Sequence, residues 1–248
     1  MLHDASLVKR VDELNARFSD APAQEVLRVI LTENLLGKSA LVSSFGAESA
    51  ILLHLASKIR KDIPVLFVDT EFLFPETMEY LRTLAVELGL EDIRRIMPDP
   101  GRVATYDPKG ELRVNDPDQC CYLRKTAPLQ RVLGEFSNWI TGRKRYQSGT
   151  RSALQVFELD NVTNRVKVNP LANWDRDALR GYMVEHHLPP HPLVAKGFAS
   201  IGCAPCTTPV GENEDPRAGR WRGQEKEECG IHFVDGKMVR VMKDEVAQ

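Results

Sequence analysis

The chain has 248 residues, of which 42% are hydrophobic and 27% charged, with a formal net charge of −2. That length buries a sizeable core, enough for one domain or one and a half, and the near-neutral balance supplies no global basic field that would point to nucleic acid. No stretch approaches about 18 consecutive apolar residues, so no membrane span is expected.

The start, "MLHDASLVKRVDELNARF", is amphipathic and mixed in charge, without the basic-then-apolar order of a signal peptide. The cytosol, where thiols stay reduced, is the expected compartment. Residues 5–18 and 22–35 read as helices, with Leu7, Val11, Leu14 and Phe18 near helical spacing in the first. The period then changes. "SALVSSF" (39–45) and "IPVLFVDT" (63–70) are short apolar runs, each followed by a helical stretch, and Pro75 suits the first turn of the second. "IRRIMP" (93–98) and "NWITG" (138–142) read as two more strands. Strands alternating with crossover helices predict an α/β fold, a parallel twisted sheet flanked by helices. Such sheets bind ligands beyond the carboxyl ends of their strands, which selects the loops after Val42, Val68 and Ile140. After about residue 150 the pattern weakens. "LQVFELDNVTNRVKVNP" reads as a short hairpin and "WDRDALRGYMVEHH" as one more helix, and the Pro- and Gly-rich remainder reads as ordered loop plus a mobile tail.

Two of the selected loops suit an anion. "SSFGAES" (43–49) joins a strand to a helix, and its small residues let backbone approach a ligand while the helix N-terminus aims free amides at it. The Lys-Ser/Thr ending of a Walker loop is missing, and an ordinary strand–helix turn fits the same residues. "TGRKRYQSGTRS" (141–152) packs Arg143, Lys144, Arg145 and Arg151 around glycines at the ligand edge of the sheet. "DPRAGRWRG" adds Arg217, Arg220 and Arg222, so a small polyanion closed over by mobile arginines is the expected substrate. Trp221 serves either to stack on a base or to anchor the tail. The adjacent His186 and His187 stand at an expected helix end, where histidine is favourable, and are read as structural.

The five cysteines are an odd number, against a disulfide framework. Cys120-Cys121 and Cys203-Cys206 form two tight pairs, and "GCAPC" has the glycine and proline of a ligand-presenting turn. Zinc and an iron–sulfur cluster are both compatible with four such thiols. Neighbouring side chains diverge, which is awkward around one zinc ion, whereas a cluster offers a separate iron to each thiolate. Arg124 and Lys125, a turn later, would stabilise an anionic centre. The residues favour the cluster. Cys229 stands alone in "KEECGIHF".

The set "CCYLRK", "TGRKRYQSGTRS", "IGCAPCT", "GRWRG" and "ECGIH", in this order from the loop at 43 to His232, resembles the assimilatory adenylyl-sulfate reductases, the cluster-containing branch of the APS/PAPS reductase family. The resemblance implies an adenine nucleotide α-hydrolase-like fold related to PP-loop pyrophosphatases, with a nucleotide-binding domain over 1–210 and a tail over 211–248. It implies that Ser43, Ser44, Phe45, Gly46, Ala47, Glu48 and Ser49 form a modified PP-loop for the phosphate and sulfate end. Asp69 and Thr70 would contact nucleotide, and Arg143, Arg151, Arg217, Arg220 and His232 would bind substrate. Cys120, Cys121, Cys203 and Cys206 would hold one 4Fe-4S cluster, with Lys125 beside it. Cys229 would be the catalytic thiol. The implied reaction takes adenosine 5′-phosphosulfate to sulfite and AMP with thioredoxin or a similar dithiol donor, in sulfate assimilation and cysteine biosynthesis. Use of the 3′-phosphorylated nucleotide, by preference or alongside, is the alternative, and homo-oligomerisation is left open. Residues 69–71 read Asp-Thr-Glu where the family usually has Asp-Thr-Gly, and Glu71 adopts a positive φ less cheaply than glycine.

Overall fold

Six strands form one twisted sheet, parallel except for one outermost strand. The structure is a computed structural model and describes residues 5–147, 151–160, 164–224 and 226. In chain order the first elements are α1 (Ala5–Phe18), α2 (Ala23–Leu31), β1 (Ser39–Ser43), α3 (Ser49–Ser57), β2 (Val65–Val68), α4 (Pro75–Leu88) and β3 (Ile93–Ile96). The short helices α5 (Pro100–Tyr106), α6 (Leu112–Asn115) and α7 (Pro117–Cys121) follow, then a π-helical turn (Tyr122–Thr126) and α8 (Ala127–Leu133). The chain re-enters the sheet as β4 (Asn138–Ile140), adds β5 (Phe157–Asp160) and β6 (Arg165–Val168), and continues into α9 (Arg176–Glu185).

Both faces of the sheet are covered, as parallel strands require. Alternation within each strand sorts the side chains. Leu41, Val65, Phe67 and Ile140 enter the larger core, with residues of α1, α2, α3 and α4. Ala40, Leu66 and Trp139 point the other way, against Leu129, Leu133 and Phe136 around α8. Pro75 opens α4, and Gly89 at φ 61 closes it in the left-handed conformation that glycine supplies without a Cβ penalty.

The predicted hairpin is real, and it also extends the sheet, because β6 pairs in parallel with β4. After β1 the chain builds outward through β2 and β3, then crosses back to place β4 on the other flank of β1. The crevice between β1 and β4 is thus the switch point where an open α/β sheet accepts ligands. Among the described residues, no helix is long and apolar enough to cross a membrane.

Candidate active site

A cavity of about 250 Å³ opens at the β1/β4 switch point. Its lining includes Ser43, Ser44, Gly46, Ala47, Glu48 and Ser49 from one loop, and Thr141, Gly142, Arg143, Lys144 and Arg151 from the other. Residues 199–203, together with Arg217, Arg220 and Trp221, complete the wall. Among the described lining residues, seven basic side chains face one carboxylate, Glu48. In a chain of net charge −2 that concentration gives the cavity a local positive field, the kind that suits an anion.

The first loop is turned by its own aromatic residue. Phe45 adopts φ 48 yet is fully buried, edge-on to Phe67 at 5.4 Å, and its amide donates to Ser43 Oγ at 3.2 Å. Core burial holds the left-handed backbone in place, so Ser44, Gly46 and Ala47 remain at the cavity. The Phe45 side chain itself packs into the core and is not part of the cavity lining. The start of α3 then faces the cavity through Glu48 and Ser49.

The basic run divides its labour. Lys144 is buried and donates to Glu48 Oε2 at 2.6 Å, while Tyr146 and Gln147 also donate to the Glu48 carboxylate. Burial opposes charge on Glu48, but Lys144 and these hydrogen bonds hold its carboxyl below the usual range. Burial also pulls the Lys144 ammonium below its ordinary value, against the attraction of Glu48. Arg143 is braced by Glu158 at 2.7 Å, and Glu158 in turn accepts from Asn169. Arg151 donates to Gln147 Oε1. Arg145 turns away and donates to the Leu154 carbonyl, so it fixes the loop rather than the ligand.

Sequence reasoning selected Arg143, Lys144 and Arg151 as part of the basic run, but it passed over Tyr146 and Gln147 and the partner they share with Lys144, Glu48, about a hundred residues earlier. Arg176, at the start of α9, also lines the cavity, and only the tertiary fold brings it there.

The expected tail begins as packed structure. Thr207 pairs with Arg220, Thr208 N donates to the Gly219 carbonyl, and Trp221 N donates to the Cys206 carbonyl. Trp221 is buried with the Arg220 guanidinium over its ring at 4.4 Å, so it anchors this strap while bordering the cavity. Thr70 lines the cavity, but Asp69 does not. Its carboxylate takes two bonds from Arg95, at 2.8 and 2.5 Å, and accepts the Glu71 amide. His186 packs against Tyr182 at 4.1 Å, away from the cavity lining. Cys229 and His232 lie outside the described residues.

Both cysteine pairs face one small pocket, adjoining the cavity through Thr70, Lys125 and Cys203. Asp116 caps the N-terminus of α7 by accepting from Gln119 N, and Cys120 and Cys121 close the same single turn at its other end. Cys203 and Cys206 sit on a tight turn closed by Cys206 N to the Cys203 carbonyl at 3.0 Å. Burial, with the neighbouring thiols, pushes Cys120 up to about 12. Burial would raise Cys203 too, but Lys125, Thr70 and Arg220 together bring it below its ordinary value. Among the described residues, no three of His, Cys, Asp or Glu converge as a ready site for one ion. Four thiols line this one pocket beside Lys125, a donor set whose chemistry suits a thiolate-bound metal centre.

Fold and site together define an α/β protein with a basic anion cavity at the sheet's switch point and a thiol-lined pocket beside it. The family described as "Phosphoadenosine phosphosulfate reductase domain" matches residues 38–209, and the chain belongs to that family. An adenosine 5′-phosphosulfate reductase of Mesorhizobium japonicum is 43% identical over 230 residues, covering 93% of this chain and 90% of that protein. A phosphoadenosine 5′-phosphosulfate reductase of Gloeobacter violaceus is also 43% identical, over 200 residues, covering 79% of this chain and 82% of that protein. Among solved structures, the phosphate complex of a phosphoadenylyl-sulfate reductase from Candida auris is similar, with a TM-score of 0.67 and 27% identity, over 79% of this chain and 95% of that one.

Proposed function

We propose that this chain reduces adenosine 5′-phosphosulfate to sulfite and AMP, with Cys229 as nucleophile and a thioredoxin-like dithiol as electron donor. The observation that carries the reading is the cavity lined by seven basic side chains next to four thiols, in a chain of this family. A phosphosulfate is a small polyanion, and Arg143, Lys144, Arg151, Arg217 and Arg220 supply the charge to hold one. The Cys229 thiolate attacks the sulfur, the S–O bond to the phosphate breaks, and AMP leaves. The product on the protein is a thiosulfonate, Cys–S–SO3⁻. A donor thiolate then attacks the Cys229 sulfur and expels sulfite, and its second thiol closes the donor's disulfide and returns Cys229 as a thiol. Substrate and nucleophile are both negative, so the basic side chains lower their repulsion.

Cys120, Cys121, Cys203 and Cys206 are the residues that would hold a 4Fe-4S cluster. Bound there, the cluster would supply electrostatic and structural support beside the cavity. The two cysteine pairs, on the family resemblance, favour the unphosphorylated nucleotide. The experiment is sulfite release from adenosine 5′-phosphosulfate and from its 3′-phosphorylated form, each with reduced thioredoxin. Faster turnover of the former supports the reading, and a strong preference for the latter overturns the choice of substrate.

A further inference from the structure

Glu71 holds φ 67, a backbone region that is unfavourable for a residue with a Cβ. Such strain persists only where the surroundings over-determine it. Here its amide donates to Asp69 Oδ1 at 2.8 Å and its carboxylate receives Arg124 Nη1 at 2.6 Å. Arg124 stands in the π-helical turn directly after Cys120-Cys121, and its side chain is 5% exposed. The same guanidinium donates to the Thr70 carbonyl at 3.2 Å and, through Nε and Nη2, to the buried Asp107 at 3.2 and 3.1 Å. Its plane lies over the Phe72 ring at 4.3 Å.

The loop held in this way grips the other cysteine pair. Thr70 Oγ1 lies 3.2 Å from Cys203 Sγ, and the Phe72 carbonyl accepts the Ala204 amide at 2.7 Å. One short path therefore runs from the helix of Cys120-Cys121, through Arg124 and Glu71, to the turn of Cys203-Cys206. The two segments are some eighty residues apart in the chain.

We propose that Arg124 and Glu71, backed by Asp107, form a clamp that sets the gap between the two cysteine pairs, so that both are positioning residues for whatever centre the four thiols hold. The inference rests on reading those thiols as one metal-binding set. A lysine at 124 would keep the charge but lose the fork that reaches three acceptors at once. Glycine at 71 would relieve the backbone while releasing Arg124, which separates positioning from stability.

The test compares anaerobically prepared, iron-containing wild type with Glu71→Gly and Arg124→Lys. Glu71→Gly is expected to melt close to wild type yet to release iron to a chelator about 10-fold faster, the usual scale for losing an outer-shell contact. Arg124→Lys is expected to release iron at a similarly raised rate. Iron release from Glu71→Gly at the wild-type rate, or raised only in step with a lowered melting temperature, overturns the clamp. A second measurement needs no iron: hydrogen exchange in chelator-treated protein, read on peptides over 117–127 and 201–209. Exchange several-fold faster in both segments of Glu71→Gly is expected. Unchanged exchange overturns the clamp, whereas wild type that never holds iron sinks the cluster reading and leaves this second comparison standing.

Discussion

Replacing Glu48 by glutamine tests the electrostatics of the cavity wall. Lys144 is 2% exposed at its side chain, and the carboxylate 2.6 Å away is 34% exposed. Removing one member of a buried pair commonly costs about 3–5 kcal/mol, because the other charge stays desolvated without compensation. Partial exposure of Glu48 lets water screen the loss, which brings the expectation down to about 2–3 kcal/mol. For a chain of this size that corresponds to a fall in Tm of about 4–12 °C. Thermal and urea unfolding at pH 7 measure it. Because the carboxyl of Glu48 is held below its ordinary value in the folded state, its stabilisation is present above the unfolded-state value and disappears as pH falls through the folded one. Wild type and Glu48→Gln are therefore expected to converge in acid. The double variant Glu48→Gln with Lys144→Met removes both charges and is expected to regain much of the loss. A single variant within 1 kcal/mol of wild type, on the order of an exposed pair, or a double variant no better than the single, would refute the reasoning.

His191 offers a second pH-dependent signal. It is buried, its Nδ1 accepts the Leu193 amide, its Nε2 lies 3.1 Å from Thr77 Oγ1, and burial lowers its pKa to about 4. The folded protein keeps it neutral while the unfolded chain takes up a proton below about pH 6.5, so stability is lost as pH falls from there toward 4, by up to about 3 kcal/mol. Urea titrations of wild type and His191→Gln across that range are expected to diverge, and parallel profiles would contradict it. Gly219 packs so closely that an added Cβ would stand 2.1 Å from the Thr208 carbonyl oxygen. Gly219→Ala is therefore expected to displace the strap bearing Arg217 and Arg220, at about 1–3 kcal/mol of strain. The Michaelis constant for the nucleotide should rise several-fold; an unchanged constant would count against a role for the strap in binding.

Local pattern carried the sheet, its parallel sense and the ligand edge, because short apolar runs each followed by a helix admit few alternatives. It also picked out the two cysteine pairs, which share one pocket in the fold, and the loops around 43–49 and 141–152, whose residues line the cavity at the strand ends. What it missed depends on partners distant in sequence. Phe45 looked like a loop residue at the ligand and is instead the core anchor that turns the loop. Asp69 is occupied by Arg95, twenty-six residues later, a pairing that follows from β2 and β3 lying side by side. The Glu48–Lys144 pair joins the two sides of the switch-point crevice, and nothing local announces it. Glu71 stood out in the sequence as an ill-suited residue for a positive φ, and the structure gives it that φ together with the Arg124 contact that offsets it.

The most direct measurement is intact mass of the protein after mixing with adenosine 5′-phosphosulfate in the absence of any thiol donor. The expected result is one added SO3 unit on wild type, mapped to the peptide containing Cys229, and none on Cys229→Ser. An adduct on another side chain, or sulfite formed at the wild-type rate by Cys229→Ser, would contradict a thiosulfonate route through that residue.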